Sequence, residues 1–553
     1  MRRSIAGASI LAFVAGLGLN APAKAADEPR TINRDGHILQ HQRVAQTKAK
    51  KSVQALGPTR SDFDGDGFDD IAASASPFQY TFPDRPNGLV VVQYSSAPQI
   101  DYLYSVVAPG EAVSGFGAAL ATGDFNGDGY HDLAIGVPDE VDPVNGAQAG
   151  GVWVVPGSSV GLVVDSATYF DQSSPGIPGG SENRDWFGSA LAAGDINGDG
   201  LDDLAIGAYG ESIGSKSAAG SVTVLFGSAG GLTDVGAQDV YQDQAHVPGA
   251  SESNDSFGYS LAIGPVDGDG YADLAIGGPR ENENTGDDGS GTVVLMRGSA
   301  AGVSTSGATS VNGWGIKPST GSNDTYAWTL GSALAIGDVN GDGLGEVVAG
   351  APGAQTPHLN GGLIAVFTGR GGGIADSAVR VINQRTAGVP GEPETGDRFG
   401  ATLATGDVTG DGVADVLVGT PGEAIGSAAG AGVVTLLKGA TGGISGNGAQ
   451  SFDQNHADIP GGAEAGDRFG GAVALLNLDG VDGLDAVVAA AGESVSGDIS
   501  DHSSGSIYPL FGSGGGLVPQ PLSINGLDLR TDFVWPLDYG FEIAGPQGGV
   551  PMG

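Results

Sequence analysis

Seven times, at steps of 62, 71, 70, 73, 69 and 70 residues, the chain returns to the same nine-residue loop. Repetition at a near-constant period constrains a fold more than any single motif, because each unit buries its apolar face only against a neighbour. The clearest copy is Asp195-Ile196-Asn197-Gly198-Asp199-Gly200-Leu201-Asp202-Asp203. Its oxygen-bearing side chains fall at positions one, three, five and nine, with Gly at four and six. Alternate residues on a tight turn can aim their oxygens at one centre, which suits a hard cation such as Ca²⁺, and glycine permits the positive φ such a turn needs. The EF-hand spaces its ligands similarly but has a helix on each side and a Glu at position twelve. The flanking runs here, Ser189–Ala193 and Leu204–Gly207, are too short for helices. The loop is predicted to lie between two strands.

The seven loops start at Asp62, Asp124, Asp195, Pro265, Asp338, Asp407 and Asn477. Complete ligand sets stand in loop one (Asp62, Asp64, Asp66, Asp70), loop two (Asp124, Asn126, Asp128, Asp132) and loop three (Asp195, Asn197, Asp199, Asp203). Loop five has Asp338, Asn340, Asp342 and the longer Glu346; loop six puts Thr409 beside Asp407, Asp411 and Asp415. Loop four places Pro265 where the first Asp belongs, leaving Asp267, Asp269 and Asp273. Loop seven, Asn477-Leu478-Asp479-Gly480-Val481-Asp482-Gly483, reads as carrying an extra residue that breaks the spacing. Five good calcium sites, one doubtful and one lost are expected. Asp-Gly turns also occur between strands without metal. Two carboxylates ~4 Å apart, however, cost on the order of 4 kcal/mol at an effective dielectric of ~20, so a loop turning three of them inward needs a cation.

Gly at 101 of 553 residues argues against helices, and no stretch shows a long 3.6-residue period. Each copy instead carries four short apolar segments; in the third these are Phe187–Ala193, Leu204–Ala208, Ser221–Phe226 and a weaker one near Tyr241. Four short strands between Gly-rich turns describe one propeller blade, and seven units make seven blades around a channel. Lys+Arg 23 against Asp+Glu 64 gives a net charge of −41, a surface that repels nucleic acid and anionic lipid and suits cations. Met1-Arg2-Arg3, the apolar run to about Leu19 and Ala23-Lys24-Ala25 read as a secretory signal (residues 1–25) cleaved near Ala25-Ala26. No later segment is apolar for long enough to span a bilayer as a helix. With no cysteine in a secreted, extracellular chain, stability is expected from a large core and from metal.

Residues 26–60 hold seven Lys and Arg with His37 and His41 but few apolar residues. They read as a basic flexible leader, or as a basic arm lying on the acidic body, with both histidines solvated. Residues 61–545 are the propeller and 546–553 a tail.

Two further marks recur in register with the loops. Phe-Gly opens the first strand at Phe116-Gly117, Phe187-Gly188, Phe257-Gly258, Phe399-Gly400 and Phe469-Gly470, with Leu330-Gly331 as a variant. A Gly-x-Pro-like turn ends the second, as in Ile135-Gly136-Val137-Pro138, Ile276-Gly277-Gly278-Pro279 and Ala349-Gly350-Ala351-Pro352. Together the three marks resemble the FG-GAP repeat, and the chain is similar to the seven-bladed propeller head of integrin α-subunits and to secreted bacterial proteins built from that repeat. The resemblance covers roughly residues 61 to 545. It implies an all-β, seven-bladed propeller with structural Ca²⁺ in its loops and a binding or adhesion role.

Copy one lacks a Phe-Gly strand before Asp62, yet Tyr539-Gly540-Phe541-Glu542-Ile543-Ala544 matches Phe116–Ala121 in pattern. Residues 539–544 are read as the first strand of blade one, supplied from the far end to close the ring. Ser52–Leu56 is the alternative.

Two stretches match G-x-S-x-G, around Ser159 and Ser212. The equivalent position is Ala229 in copy three and Ala424 in copy six, and the strand-to-helix junction of a nucleophile elbow is missing, so both are read as blade turns. No catalytic residue is assigned. A second repeated feature precedes several Phe-Gly strands: Pro178-Gly179-Gly180-Ser181-Glu182 with Asp185, then Pro248 to Glu252 with Asp255, Pro390 to Glu394 with Asp397, and Pro460 to Glu464 with Asp467. By resemblance these lie on the face opposite the loops. They either cap and space the blades or ring the channel mouth with carboxylates that meet a ligand. No Arg-Gly-Asp is present; Arg34-Asp35-Gly36 has the wrong order. The leading expectation is an exported, calcium-stabilised module that binds an extracellular protein or glycan. The alternative is a propeller scaffold for carbohydrate or ester cleavage. Some FG-GAP proteins, such as the phospholipase D that cleaves lipid anchors, carry a catalytic domain before the propeller, and residues 26–60 are too short for one.

Overall fold

Short apolar runs between Gly-rich turns leave each repeat one economical way to pair its backbone groups, a small antiparallel sheet. A computed structural model describes residues 30–45, 60–75, 86–95, 99–106, 115–282, 289–313, 316, 329–354, 361–375, 377, 379–481, 483–494, 505–525 and 539–544. Blade three shows the plan, with strands Ala190–Gly194, Asp203–Ala208, Ser221–Phe226 and Thr233–Val240 paired in that order. The second strand is buried along its whole length, whereas the fourth is largely polar and half-exposed. That gradient runs from the ring's interior to its rim. Five sheets of this plan, with a six-stranded blade one and a five-stranded blade seven, make an all-β, seven-bladed propeller, and the first strands of blades two to seven pack side by side in chain order.

The Phe-Gly mark is the joint between blades and not a strand residue, as the predicted span Phe187–Ala193 had it. Phe187 donates its amide to the carbonyl of Ala149 in blade two (2.8 Å), and its ring is wholly buried. Gly188 follows at φ +86, where a Cβ would meet the Gly151 carbonyl oxygen at 2.4 Å. Only glycine lets the blades approach so closely. Phe257, Phe399 and Phe469 repeat the bond to Ala219, Gly361 and Ala431.

Blade one is assembled differently. Its sheet runs Arg30–Arg34, His37–Ala45, Gln99–Val106, Pro86–Gln93, Ile71–Ala75 and Tyr539–Ile543. The C-terminal strand pairs antiparallel with Ile71–Ala75, Ala75 opposite Tyr539 and Ala73 opposite Ile543. Ile543 is buried in a cluster with Ile71 and Leu89 of blade one and Val487 and Ile507 of blade seven. The competing strand, Ser52–Leu56, lies outside the described residues, as do the signal segment 1–25 and the tail 546–553.

Of the two readings of the leader, the flexible segment is not what residues 30–45 form; they are a β-hairpin added to the rim of blade one, with Arg30 and Arg43 on Asp165 and Asp101, as an arm lying on the acidic body. Its turn is Asp35-Gly36, both at positive φ (53 and 105), the two-residue connection whose twist matches paired strands. Ile32, Leu39 and Val44 are buried beneath it, so three apolar residues suffice when a blade edge is waiting. The histidines are not solvated either: His37 and His41 are buried. Arg43 forks onto Asp101 with both bonds at 2.6 Å, and Tyr94 donates its hydroxyl to the same carboxylate. Burial alone would raise the Asp101 carboxyl; the Arg43 guanidinium outweighs it and holds the group below its usual range.

Candidate metal centre

The loops join first to second strands, so all lie on one face of the ring. Their first residue builds the turn. Asp195 Oδ1 accepts from the amides of Gly198 (2.7 Å) and Asp199 (3.1 Å), and Oδ2 from Gly200 (2.9 Å). Asp62, Asp124 and Asp338 make the same three bonds in their loops. The ninth residue anchors the loop from below: Asp203 accepts from Ile196 (3.0 Å) and from Gly227 (3.0 Å).

The loops are also bonded to one another. The amide of the eighth residue donates to the first residue's carbonyl in the preceding loop: His131 to Asp62, Asp202 to Asp124, Ala272 to Asp195, Gly345 to Pro265, Ala414 to Asp338 and Leu484 to Asp407. Asp69 to Asn477 (2.9 Å) completes the circle. The seven loops therefore form one hydrogen-bonded belt.

Loop one fits a hard cation best. Ligand oxygens of Asp62, Asp64 and Asp66 lie within 4.8 Å of one another, and Asp66 Oδ2 is buried with no hydrogen-bond partner. Two full charges at that separation cost on the order of 3 kcal/mol at an effective dielectric of ~20. Burial, then Asp64, pushes Asp66 up to about 7. Asp132, Asp203 and Glu346 are raised to about 7 as well, with burial again the largest cause. Loop six supplies a second orphan: Thr409 Oγ1 is buried without a partner, between Asp407 and Asp411 in the loop. Oxygen-only donors, crowded and under-paired, are the chemistry of a Ca²⁺ site.

Loops four and seven differ from the rest in instructive ways. In loop four the guanidinium of Arg297 pairs with Asp267 and stands 4.0 Å from Asp269. The chain provides its own cation where Pro265 removes the first ligand. Loop seven does not contain the extra residue inferred from its sequence. Asp485 holds the ninth position, accepting from Leu478 (2.9 Å) and Gly512 (2.9 Å) as Asp203 does from its counterparts, and the belt bond from Leu484 is kept. What changes is position five, where Val481 replaces Asp. Asp482 lies outside the described residues.

On the opposite face the Pro-Gly-x-x-Glu segments close into four separate clusters: Glu182, Asp185 and Glu211; Glu252, Asp255 and Glu281; Glu394, Asp397 and Glu423; Glu464, Asp467 and Glu493. The third member of each, and a glutamine hydrogen-bonded to it, were missed in the sequence. Gln172, Gln242, Gln384 and Gln454 each lie 39 residues before their glutamate, a fixed spacing that would have shown them. Glu211 also accounts for the G-x-S-x-G match around Ser212, since it is the glutamate and not the serine that recurs. Ser159 and Ser212 are both exposed.

Comparison with known proteins agrees with this architecture. The FG-GAP repeat model matches residues 116–155, 187–225, 257–296, 330–367 and 399–437, the spans from Phe-Gly (or Leu330-Gly331) through the third strand of blades two to six. Rattus norvegicus phosphatidylinositol-glycan-specific phospholipase D is 31% identical over 35% of this chain and 21% of its own length. Drosophila melanogaster integrin alpha-PS2 is 32% identical over 34% of this chain and 12% of its own. The Bos taurus phospholipase D is 29% identical over 68% of this chain and 43% of its own. The chain thus spans less than half the length of these relatives.

Proposed function

From a chain that carries five FG-GAP repeats within a seven-bladed ring, we propose an exported, calcium-stabilised binding module that engages an extracellular protein or glycan. The observation that carries the calcium half is the belt: loop one brings three carboxylates together and leaves Asp66 Oδ2 buried and unpartnered, while loop four answers the same need with Arg297. Asp62, Asp64, Asp66 and Asp70 would hold the ion in loop one, with the matching residues of loops two, three, five and six in theirs. A bound Ca²⁺ supplies charge balance and rigidity to the turn. The belt transmits that rigidity around the ring, since each loop is bonded to the next.

The binding half is supported by likeness to integrin alpha chains, and fold-level likeness does not name a partner. Integrin-like use points to a protein or sugar met outside the cell. We read the ring as a scaffold for binding and not as a catalyst: the two G-x-S-x-G serines are exposed, and among the described residues neither is followed by an α-helix. Among the described residues no helix is long and apolar enough to cross a membrane.

The test is binding of the purified chain to a glycan array and to cell-surface extracts, with Ca²⁺ and with EDTA. Calcium-dependent retention of a defined glycan or surface protein is the expected result. Failure to retain anything in Ca²⁺, or turnover of an ester or polysaccharide, overturns the reading.

A further inference from the structure

The four acidic clusters on the face opposite the loops share one construction. In the first, Asp185 Oδ2 accepts from the Glu182 amide (2.6 Å), fixing the linker between blades two and three. Trp186 follows at φ +55, a left-handed conformation that sharpens the turn beside Asp185. Glu211 comes from the connection between the second and third strands of blade three, and Gln172 Nε2, at the end of blade two's last strand, donates to it at 2.6 Å. Each cluster therefore joins two neighbouring blades.

Three carboxylate oxygens within 4.8 Å recur four times, with two of the three residues buried and the first exposed. Crowded carboxylates alone are no site. The glutamines add an independent observation: Gln172, Gln242, Gln384 and Gln454 are all at least nine-tenths buried, each donates Nε2 to its cluster's glutamate, and in all four the neighbouring Oε1 has no hydrogen-bond partner. Asp255 Oδ1 is likewise buried and unpartnered in the second cluster. A buried amide oxygen orphaned four times over is a standing cost that a bound cation removes.

We propose that each cluster binds a hard divalent cation of the Ca²⁺ class, through the carboxylates of Glu182, Asp185 and Glu211 and the amide oxygen of Gln172, or their equivalents. The donors are all oxygen, with neither imidazole nor thiolate to favour a softer metal. The ion pins the outer strand of one blade to the inner loop of the next. It makes a second ring of sites, distinct from the belt.

Two boundaries serve as internal controls. Blade five has Ala354 where the others have the glutamate, so its set is incomplete. Blade two has Glu140 there, and His37 of the N-terminal hairpin stands 3.5 Å from it. Neither is expected to take a metal.

The experiment counts Ca²⁺ bound to the full chain by native mass spectrometry at saturating calcium. Glu211→Gln, Glu281→Gln, Glu423→Gln and Glu493→Gln are made singly and together. Each single variant is expected to hold one ion fewer and the quadruple variant four fewer, while Asp199→Ala in loop three removes one further ion independently. An unchanged count in the single variants, with their folded circular dichroism intact, overturns the proposal, even where Asp199→Ala still loses its ion. If the quadruple variant does not fold, the single variants decide. Tb³⁺ luminescence sensitised by tryptophan gives a second readout, because Trp186 adjoins only the first cluster. Its loss in Glu211→Gln but not in Glu423→Gln is expected, and equal signals in both overturn the assignment.

Discussion

Asp69 and Asn477 lie 408 residues apart in sequence and hold the ring shut. The Asp69 amide donates to the Asn477 carbonyl at 2.9 Å, and the Asn477 amide returns a bond to Asp69 Oδ2 at 2.6 Å. Asp69 Oδ1 also takes the amides of Arg60 and Ser61. Arg60 in turn reaches the Thr405 carbonyl of blade six (3.1 Å), and its own carbonyl accepts from Thr122 of blade two. One buried carboxylate thus organises the seam where first and last blades meet.

The seam gives the first prediction. Asp69→Ala removes an acceptor from the buried amides of Ser61 and Asn477, at about 1–3 kcal/mol each, and from the half-buried amide of Arg60. Deleting everything after Asp532 removes the strand beside Ile71–Ala75 and bares a sheet edge. Both variants should lose soluble yield and protease resistance, the truncation more. A truncated chain as soluble and resistant as the parent would refute closure by residues 539–544.

Deleting residues 26–50 looks harmless in the sequence, where few apolar residues mark that segment. The structure predicts otherwise. The deletion uncovers the rim of blade one and strands the Asp101 charge without Arg43, a loss typically of 3–5 kcal/mol. Thermal melting of the deleted chain should show a clear drop, and an unmoved midpoint would contradict the hairpin.

Calcium removal should lower the melting temperature strongly, because an ion that binds only the folded chain stabilises it by mass action. The loops should respond unequally. Asp66→Asn or Asp199→Ala should each cost one bound ion and destabilise the fold, whereas Arg297→Gln should destabilise without changing the ion count. Metal counting beside melting curves separates the cases, and an unmoved melting midpoint in Arg297→Gln would show that its charge does not stand in for an ion in loop four.

His37 makes stability depend on pH. Burial lowers its pKa, but its bonds to Asp171 and Glu140 outweigh that and hold it at about 9 against an ordinary 6.5. A raised pKa stabilises the fold fully below about 6.5, and the contribution fades as pH rises through about 9. That difference amounts to on the order of 3 kcal/mol. His37→Gln should therefore be costly at pH 6 and nearly neutral at pH 10, read from denaturant midpoints at both. An equal cost at the two values would mean the imidazole is neutral in the fold.

The sequence by itself determined the architecture, because a repeat advertises each unit many times. Seven loops in register, six Phe-Gly or Leu-Gly joints and short apolar runs admit a seven-bladed ring and little else. It also determined which residues form each loop, since oxygen ligands must be local to share one turn. The tertiary structure decided what depends on partners far along the chain. Asp35-Gly36 is a hairpin turn only because blade one presents an edge to its strands. Arg297 neutralises loop four from a strand thirty residues away. Loop seven, which sequence spacing alone read as broken, keeps its register because the belt and Asp485 hold both its ends. Of the opposite-face clusters, the sequence showed only the linker pairs, such as Glu182 with Asp185. The clusters' carboxylates and glutamines come from separate segments of two blades, and packing those blades together is what groups the three carboxylates beside the glutamine.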